Sequence, residues 1–319
     1  MYSEGTWTIG SVVKFLREEQ EITGAQLSYG LCSASTLSRI EAGEREMNVI
    51  FSMILFGRLG YHPDKFELYG SKEEYSQYEQ RESMQNFKKS QDYKQIELEL
   101  AQYKKSWQKD IQEDTIQQQF VNSMEGLLCL QKGDYKRSIE LLEKAVTVTI
   151  PEWDTNWVEK AVVSETELDI MSILADALAA IGNKEKASII WTNILTYIEQ
   201  KTKNPVQMLQ IYTKTICDMI PILLERKNTG FALELCQKGL DALSEKGRMY
   251  HWEDLLYWKG RCLEELYRIG KEKLDVMKST YIRAFYIYRF FGNYEMAKEV
   301  KSRLDKEVPG WECIKLEKL

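Results

Sequence analysis

The sequence predicts an all-α protein, and three observations lead to that prediction. Only five prolines occur in 319 residues, and proline is the residue that helix interiors tolerate least. Long stretches also lack glycine, which weakens a helix where it does occur. Between the short breaks, apolar residues recur every three or four positions, which is the period of a helix with one buried face.

The composition is that of a chain with a sizeable core. Apolar residues make up 44% and aromatic residues 11% of the chain, so disorder is not expected. No apolar run is long enough to cross a bilayer. The first residues, MYSEGTWTIGSVVKF, lack the basic start and apolar segment of a secretion signal. We therefore expect a cytoplasmic protein with no membrane partner.

Cysteine and histidine are too scattered for metal or catalytic sites. No two of the six cysteines have CxxC spacing. Cysteines scattered in this way are typical of reduced, mostly buried thiols. With only His62 and His251, neither a zinc cluster nor a histidine-based triad has enough candidates. Phosphate-binding loops of the GxxxxGK(S/T) or GxGxxG type are absent as well. The sequence predicts no metal, no cofactor and no enzymatic activity.

The first seventy residues begin with two short helices. Apolar residues at positions 9, 12, 13 and 16 have helical spacing and predict a first helix over about 8–20. Thr23 can cap a second helix, because its side-chain oxygen can accept a free N–H at the helix start. Gly30 ends that helix, since glycine tolerates the left-handed conformation found at helix C-termini.

A third helix follows after a tight turn. Ser33 can cap it and Gly43 can close it, so the second and third helices form a helix-turn-helix. A further apolar helix over about 49–59 completes the core. These four helices belong to an N-terminal domain over residues 1–68, called the reader domain below, which we expect to contain five helices in all.

One side of the third helix is polar. If Leu37 and Ile40 point into the core, the opposite side faces solvent, and in a helix-turn-helix this part enters the major groove of DNA. Hydroxyl side chains can hydrogen-bond base edges there, an alanine can touch a thymine methyl, and an arginine can reach guanine or phosphate. The DNA-binding residues predicted on this helix are Ser33, Ala34, Ser35, Thr36, Ser38 and Arg39.

The segment resembles the phage-repressor, Xre/Cro-like helix-turn-helix over about residues 8–68. The resemblance is carried by STLSRIEAG from Ser35, LREE from Leu16, Thr23 and Leu27. It implies that Arg17 pairs with Glu41, which ties the first helix to the third and can orient Arg17 toward a phosphate. Where the family usually has a glutamine that touches the DNA backbone, this chain has Gly24, and the nearby Gln26 is the candidate for that contact.

Charge limits how this domain can bind DNA. Residues 1–70 contain six Lys or Arg against nine Asp or Glu, whereas phosphate neutralisation usually supplies most non-specific affinity. The cations must therefore be grouped on the groove-facing side, and binding should be weak for a monomer and much stronger for a dimer. The expected cations are Lys14, Arg17, Arg39, Arg45 and Arg58. The alternative is a helix-turn-helix that serves as a protein contact.

The remaining sequence is almost uninterrupted helix and repeats. Residues 69–84, YGSKEEYSQYEQRESM, are charged and helix-prone and predict a stiff helical linker. Small polar turns then precede helices at Asp92, Asp134, Asn183 and Asn228, about forty to fifty residues apart. Two helices per unit at this period predict an α-solenoid over residues 85–319. The pattern resembles degenerate tetratricopeptide repeats.

Such a solenoid leaves an inner surface lined by the first helix of each pair. Extended peptides fit there, because polar side chains can bond their main chain. The first helices are expected over about 115–131, 158–181, 206–225 and 252–269. The candidate peptide contacts are Gln119, Asn122, Gln210, Tyr212, Lys214, Tyr257 and Arg261. For each of them a solvated helix surface is the alternative.

The whole chain resembles the Rgg/PlcR-type regulators, the RRNPP family of peptide-sensing transcription regulators. Length, domain order and the RAFYIYRFFGN segment near the C-terminus carry this resemblance. It implies a homodimer that binds double-stranded DNA and whose repeat domain binds a short signalling peptide that changes DNA binding or activation. Two alternatives remain: the repeat domain binds a protein partner or only dimerises, or the chain is an enzyme with a helical-repeat domain.

Overall fold

The computed structural model describes residues 8–61, 71–154, 157–202, 205–309 and 311. All regular elements among them are helices, which confirms the all-α prediction. The chain divides into two compact units, Met1–Met208 and Leu209–Leu319. None of the helices in the described residues is both long and apolar enough to span a membrane. The predicted boundaries at residues 68 and 84 stay a prediction.

The reader domain contains four helices before residue 62. They are α1 (Ile9–Glu19), α2 (Gly24–Ser28), α3 (Ala34–Glu41) and α4 (Val49–Arg58). Each begins after a residue whose side-chain oxygen accepts the N–H three positions on, namely Thr8, Thr23, Ser33 and Asn48. The four helices match those expected from the sequence. A fifth helix, expected within residues 1–68, does not occur among residues 8–61, and residues 62–68 lie outside the described residues.

The reader domain is held together by one apolar cluster. Its buried members are Val13, Leu16, Ile22, Leu27, Leu37, Leu55, Phe56 and Leu59. All four helices contribute, so the helix-turn-helix of α2 and α3 is fixed against α1 and α4. The burial of Leu37 and Ile40 sets which side of α3 faces away from the core.

Eight further helices complete the first unit. They are α5 (Lys72–Lys89), α6 (Tyr93–Ser106), α7 (Gln108–Glu113), α8 (Thr115–Gln131), α9 (Tyr135–Thr149), α10 (Trp157–Lys160), α11 (Glu165–Ala180) and α12 (Lys184–Gln200). Successive helices pack as pairs: α5 with α6, α8 with α9, and α11 with α12. The predicted turn residues Asp92, Asp134 and Asn183 cap the second helix of each pair.

Two of the predicted segments differ in detail. The predicted linker 69–84 is part of the longer helix α5, which packs against α6, while residues 69 and 70 lie outside the described residues. The single helix expected over 158–181 is wrong, because it is interrupted between α10 and α11. Ser164 and Glu167 form a capping box that starts α11 anew, and the Val163 N–H donates to the Tyr197 hydroxyl at 2.9 Å.

The second unit consists of five helices. They are α13 (Leu209–Glu225), α14 (Thr229–Lys246), α15 (Trp252–Arg268), α16 (Leu274–Phe290) and α17 (Tyr294–Glu307). Each packs against the next, and a buried carboxylate, Glu264, links three of them. Glu264 accepts a hydrogen bond from the Tyr281 hydroxyl at 2.6 Å and from Arg303 at 3.2 Å. Consecutive helix pairs in both units agree with the predicted repeat architecture.

Candidate nucleic-acid interface

Helix α3 presents a polar surface to solvent. Ala34, Ser35, Ser38 and Arg39 are exposed, whereas Leu37 is buried and Thr36 lies at the boundary. The Arg39 side chain is 64% exposed and has only a long ion pair, 3.8 Å from its Nε to a Glu44 carboxylate oxygen. Its guanidinium can therefore move toward a partner without breaking a buried contact.

The hydroxyl groups at the start of α3 have a structural use. Ser33 Oγ accepts the N–H of Thr36 at 3.1 Å and forms a hydrogen bond with the Thr36 hydroxyl at 2.9 Å. These contacts satisfy a helix N–H group that has no partner within the helix. Ser35 and Ser38 are the hydroxyl residues of α3 with exposed side chains and no such capping role.

An ion pair fixes α3 to α1, as the family resemblance implies. Arg17 Nε lies 2.7 Å from Glu41 Oε1, and Arg17 Nη2 lies 2.9 Å from Glu41 Oε2. Arg17 Nη1 also donates to the main-chain oxygen of Ile22 at 3.0 Å. Hydrogen bonding to Glu41 raises the pKa of Arg17 above its ordinary value. In this arrangement Arg17 orients α3.

Gly10, which is not among the residues predicted from the sequence, allows α1 and α3 to approach closely. A Cβ atom at Gly10 would lie 1.9 Å from the main-chain oxygen of Ile40, so any other residue would push the two helices apart. The available signal was a glycine inside a helical pattern, which commonly marks close packing. Gly10 thus helps to set where the α3 surface lies.

Gln26 and Arg45 flank this surface. The Gln26 side-chain oxygen accepts the N–H of Thr23 at 3.0 Å, which completes the capping box of α2. Arg45 is exposed in the segment that follows α3. The structure therefore brings Arg45 to the surface beside the end of α3, while Gln26 is engaged at the start of α2.

Arg58 does not face the groove, and the expectation that it does was wrong. Its side chain is fully buried at the end of α4 and pairs with Glu167 of α11. Arg58 Nη2 lies 2.6 Å from Glu167 Oε1, and Nε lies 3.1 Å from Oε2. The remaining donors reach the main-chain oxygens of Leu27, Tyr29 and Thr149, so every N–H of this guanidinium is bonded. A cation so enclosed cannot meet phosphate.

Arg58 lies at a contact between the reader domain and the helices α9 and α11. This contact, called the seat below, is formed by Gly30 and Arg58 on the reader side and by Thr149 and Glu167 on the other. A Cβ atom at Gly30 would lie 2.1 Å from the Thr149 main-chain oxygen. The two backbones therefore meet directly at that point, and the residues of the seat are not those of the exposed α3 surface.

The predicted peptide contacts in the first unit lie on α8. Gln119 is buried, and its Nε2 donates to the Ala145 main-chain oxygen and to the Thr149 hydroxyl, both at 2.9 Å. Asn122 is half-buried. Gln119 thus has partners inside the fold, and Asn122 is the more accessible of the two.

The other predicted peptide contacts lie on α13 and α15, which pack together in the second unit. Tyr212 and Tyr257 are buried, and Gln210 is half-buried. Lys214 pairs with Asp218 at 2.6 Å on the same helix. Arg261 Nη1 lies 3.4 Å from the Tyr257 hydroxyl, and its buried Nε has no hydrogen-bond partner among the described residues.

Comparison with known proteins identifies the repeat region. Residues 157–300 match the RNPP family C-terminal domain. This part of the chain is therefore similar to the RNPP family C-terminal domain. This agrees with the family that the domain order and C-terminal segment predict. No curated protein sequence matches the chain.

Solved structures of similar fold cover nearly the whole chain, including residues 157–300. Bacillus thuringiensis PlcR in complex with the peptide PapR7 and DNA is 19% identical over 94% of this chain and 99% of its own, with a TM-score of 0.55. Apo PlcR is 17% identical over 93% and 98%, with a TM-score of 0.56. Apo ComR from S. thermophilus is 14% identical over 92% and 97%, with a TM-score of 0.50. These likenesses show a shared fold.

Proposed function

We propose that the chain is a cytoplasmic transcription regulator that binds DNA sequence-specifically as a homodimer and responds to a short signalling peptide. The observation that carries the DNA-binding part is the exposed face of α3, with Ser35, Ser38 and Arg39, on a helix fixed by Leu37 and Arg17. A recognition helix needs this combination, because base readout requires polar groups held in a defined position.

The charges of the reader domain support binding as a dimer. Within residues 8–61 the exposed basic residues are Lys14, Arg39 and Arg45, since Arg17 is bound to Glu41 and Arg58 is buried. The affinity for DNA falls with salt by a slope of about −0.9 per neutralised phosphate, so two readers give a slope of about −5. So few phosphate contacts favour two readers acting together.

Exposed aromatic residues support a second copy as the partner of the repeat domain. Phe290 is 81% and Tyr294 67% exposed at the turn between α16 and α17, with Phe291 between them. Clustered aromatic residues on a surface are typical of interaction sites.

In the alternative function, the repeat domain binds a protein partner or only dimerises.

The proposal of a peptide ligand rests on the similarity to the RNPP family C-terminal domain and on the polar residues of α13 and α15. PlcR, which shares the fold, was crystallised with a peptide and DNA. A bound peptide requires partners for its main-chain and terminal groups. Gln210, Lys214, Tyr257 and Arg261 are the proposed contacts in the second unit, and Asn122 on α8 is a separate candidate in the first unit.

DNA binding is tested on the promoter region of the gene itself, at stated salt concentrations. Arg39→Ala is compared with the control variant Arg137→Ala. Arg137 is also an exposed arginine that pairs with a glutamate, but it lies on α9, outside the reader domain. We expect Arg39→Ala to weaken binding about tenfold or more, since a specific arginine–base contact contributes about 1–3 kcal/mol. Arg137→Ala should bind like the wild type. Full affinity in Arg39→Ala would contradict the assigned surface.

Peptide binding is tested by calorimetry with synthetic peptides from small reading frames beside the gene. Lys214→Ala should weaken the binding of the peptide. The control is Lys238→Ala, which also removes a lysine from an ion pair between residues one helical turn apart. This control should bind the peptide like the wild type. A bound peptide should also change the affinity for promoter DNA. A dimer that binds DNA and no peptide would support the alternative function.

A further inference from the structure

We propose that Arg58 and Gly30 are positioning residues that set the distance between the two DNA half-sites which the dimer accepts. They would do so by holding the reader domain in one orientation on α9 and α11. This inference rests on the proposed function, because it assumes that two readers bind one DNA duplex.

Arg58 joins the two sides of the seat through all of its donors. Its Nη1 donates to the main-chain oxygens of Leu27 at 2.9 Å and Tyr29 at 2.6 Å, both in the reader domain. Nη2 donates to Thr149 at 3.1 Å, and Nη2 and Nε together hold Glu167. A guanidinium is planar and its N–H groups point in fixed directions. The five bonds can therefore form together in only a narrow range of reader orientations.

Glu167 is itself fixed in place. Its Oε2 accepts the N–H of Ser164 at 2.8 Å and the Ser164 hydroxyl at 2.9 Å, so it caps α11 while it binds Arg58. Only 3% of its side chain is exposed. Because the acceptor is locked to the start of a helix, it cannot follow Arg58, and movement of Arg58 relative to α11 would break the ion pair.

Steric contact restricts the seat further. Gly30 has a φ of +69°, and a Cβ there would lie 2.1 Å from the oxygen and 2.6 Å from the carbon of the Thr149 carbonyl. Gly57 makes a weaker restriction, because a Cβ atom there would lie 3.2 Å from the side-chain Cβ of Ser164. At Gly30 the reader domain therefore meets the end of α9 backbone to backbone, with no flexible side chain between them.

A reader held in this way selects the spacing of its half-sites. One added base pair shifts a half-site by about 3.4 Å along the duplex and rotates it by about 35°. A reader on a flexible tether could follow such a change, whereas a reader held by the seat could follow it only by losing the hydrogen bonds of the seat. When geometry prevents two linked modules from binding together, the gain in affinity from linkage, about 100-fold or more, is lost.

The test compares Gly30→Ala with Gly43→Ala. Gly43 also ends a reader helix with a φ of +75°, but a Cβ there would find its nearest neighbour, Thr8 Oγ1, at 4.0 Å. The two variants thus share the backbone strain, and only Gly30→Ala pushes the reader off Thr149. The wild-type dimer first selects its operator from random DNA. Affinities are then measured for that operator with one to five base pairs added or removed between the half-sites.

We expect the wild type and Gly43→Ala to lose about 100-fold in affinity when the spacing changes by two or more base pairs. Gly30→Ala should lose less than about tenfold over the same series, while it binds the selected operator more weakly. Should Gly30→Ala not fold by circular dichroism, the double variant Arg58→Met/Glu167→Leu replaces it. This variant removes both buried charges together, and the same flattened profile is expected.

Two results would overturn the inference while leaving the proposed function intact. One is a wild-type spacing profile in Gly30→Ala or in its replacement variant. The other is equal flattening in Gly43→Ala, which would assign the effect to strain within the reader. A wild-type protein that selects no DNA would overturn the proposed function, and this inference with it.

Discussion

The substitution Glu167→Gln removes one charge from the buried pair with Arg58 and keeps nearly the same side-chain shape. The guanidinium would remain fully enclosed, with its Nη1 and part of Nη2 still bonded to main-chain oxygens. One amide oxygen would replace two carboxylate oxygens, so either Nε or Nη2 would face an N–H group. Leaving a buried charge without its counter-ion costs about 3–5 kcal/mol, a large share of the about 5–15 kcal/mol that stabilises a typical domain.

The assay is urea unfolding monitored by circular dichroism. It is applied to a double-mutant cycle that consists of the wild type, Glu167→Gln, Arg58→Met and the variant with both substitutions. Each single variant leaves one polar group buried without its partner, so each should lower the free energy of unfolding by several kcal/mol. The double variant should cost less than the sum of the two, with a coupling energy of about 1–3 kcal/mol. A cost below about 1 kcal/mol for Glu167→Gln, or strict additivity, would refute the view that this pair is buried and mutually dependent.

Three further predictions concern pH, the α1–α3 tie and the second unit. Burial acts to raise the pKa of Glu167, but its bound guanidinium outweighs this and holds the pKa below the ordinary value of about 4.3. The stability that the ionised Glu167 contributes is present above that pH and is lost as the pH falls below it. Urea unfolding midpoints measured at pH 7, 5, 4 and 3 should therefore fall more steeply for the wild type than for Glu167→Gln. Glu41→Gln weakens the bidentate pair with Arg17 and should lower stability by about 1–2 kcal/mol, measured by urea unfolding; no loss would contradict its role. Gly260→Ala places a methyl group 2.5 Å from the Tyr281 ring and should cost about 1–3 kcal/mol in thermal unfolding, since the ring has little room to move.

The parts of the fold that sequence predicted are those encoded by neighbouring residues. The caps Thr23 and Ser33 and the spacing of Leu37 and Ile40 are local signals, and they fixed the reader helices and the exposed side of α3. The break before α11 was also encoded locally, by the capping box of Ser164 and its partner three residues on. It was missed because apolar residues continue across the gap.

The role of Arg58 could not be predicted in this way. Its carboxylate partner lies 109 residues away, and its main-chain acceptors lie 29 to 91 residues away. Within the sequence it is a single arginine at the end of an apolar helix, VIFSMILFGR, and such a residue commonly lies in solvent. Only the packing of α4 between the reader core and α11 brings its partners together.

In the proposed function, the burial of Arg58 has two opposite effects on the affinity of the reader domain for DNA. A cation enclosed in the seat is lost to phosphate contact, which lowers the affinity of one reader. The same cation restricts the orientation of that reader, and a restricted second reader meets its half-site at a higher effective concentration. The affinity of the dimer for DNA then depends less on charge and more on the fixed orientation of its readers. A dimer of this kind should depend less on salt and more on half-site spacing than one whose readers are basic and loosely tethered.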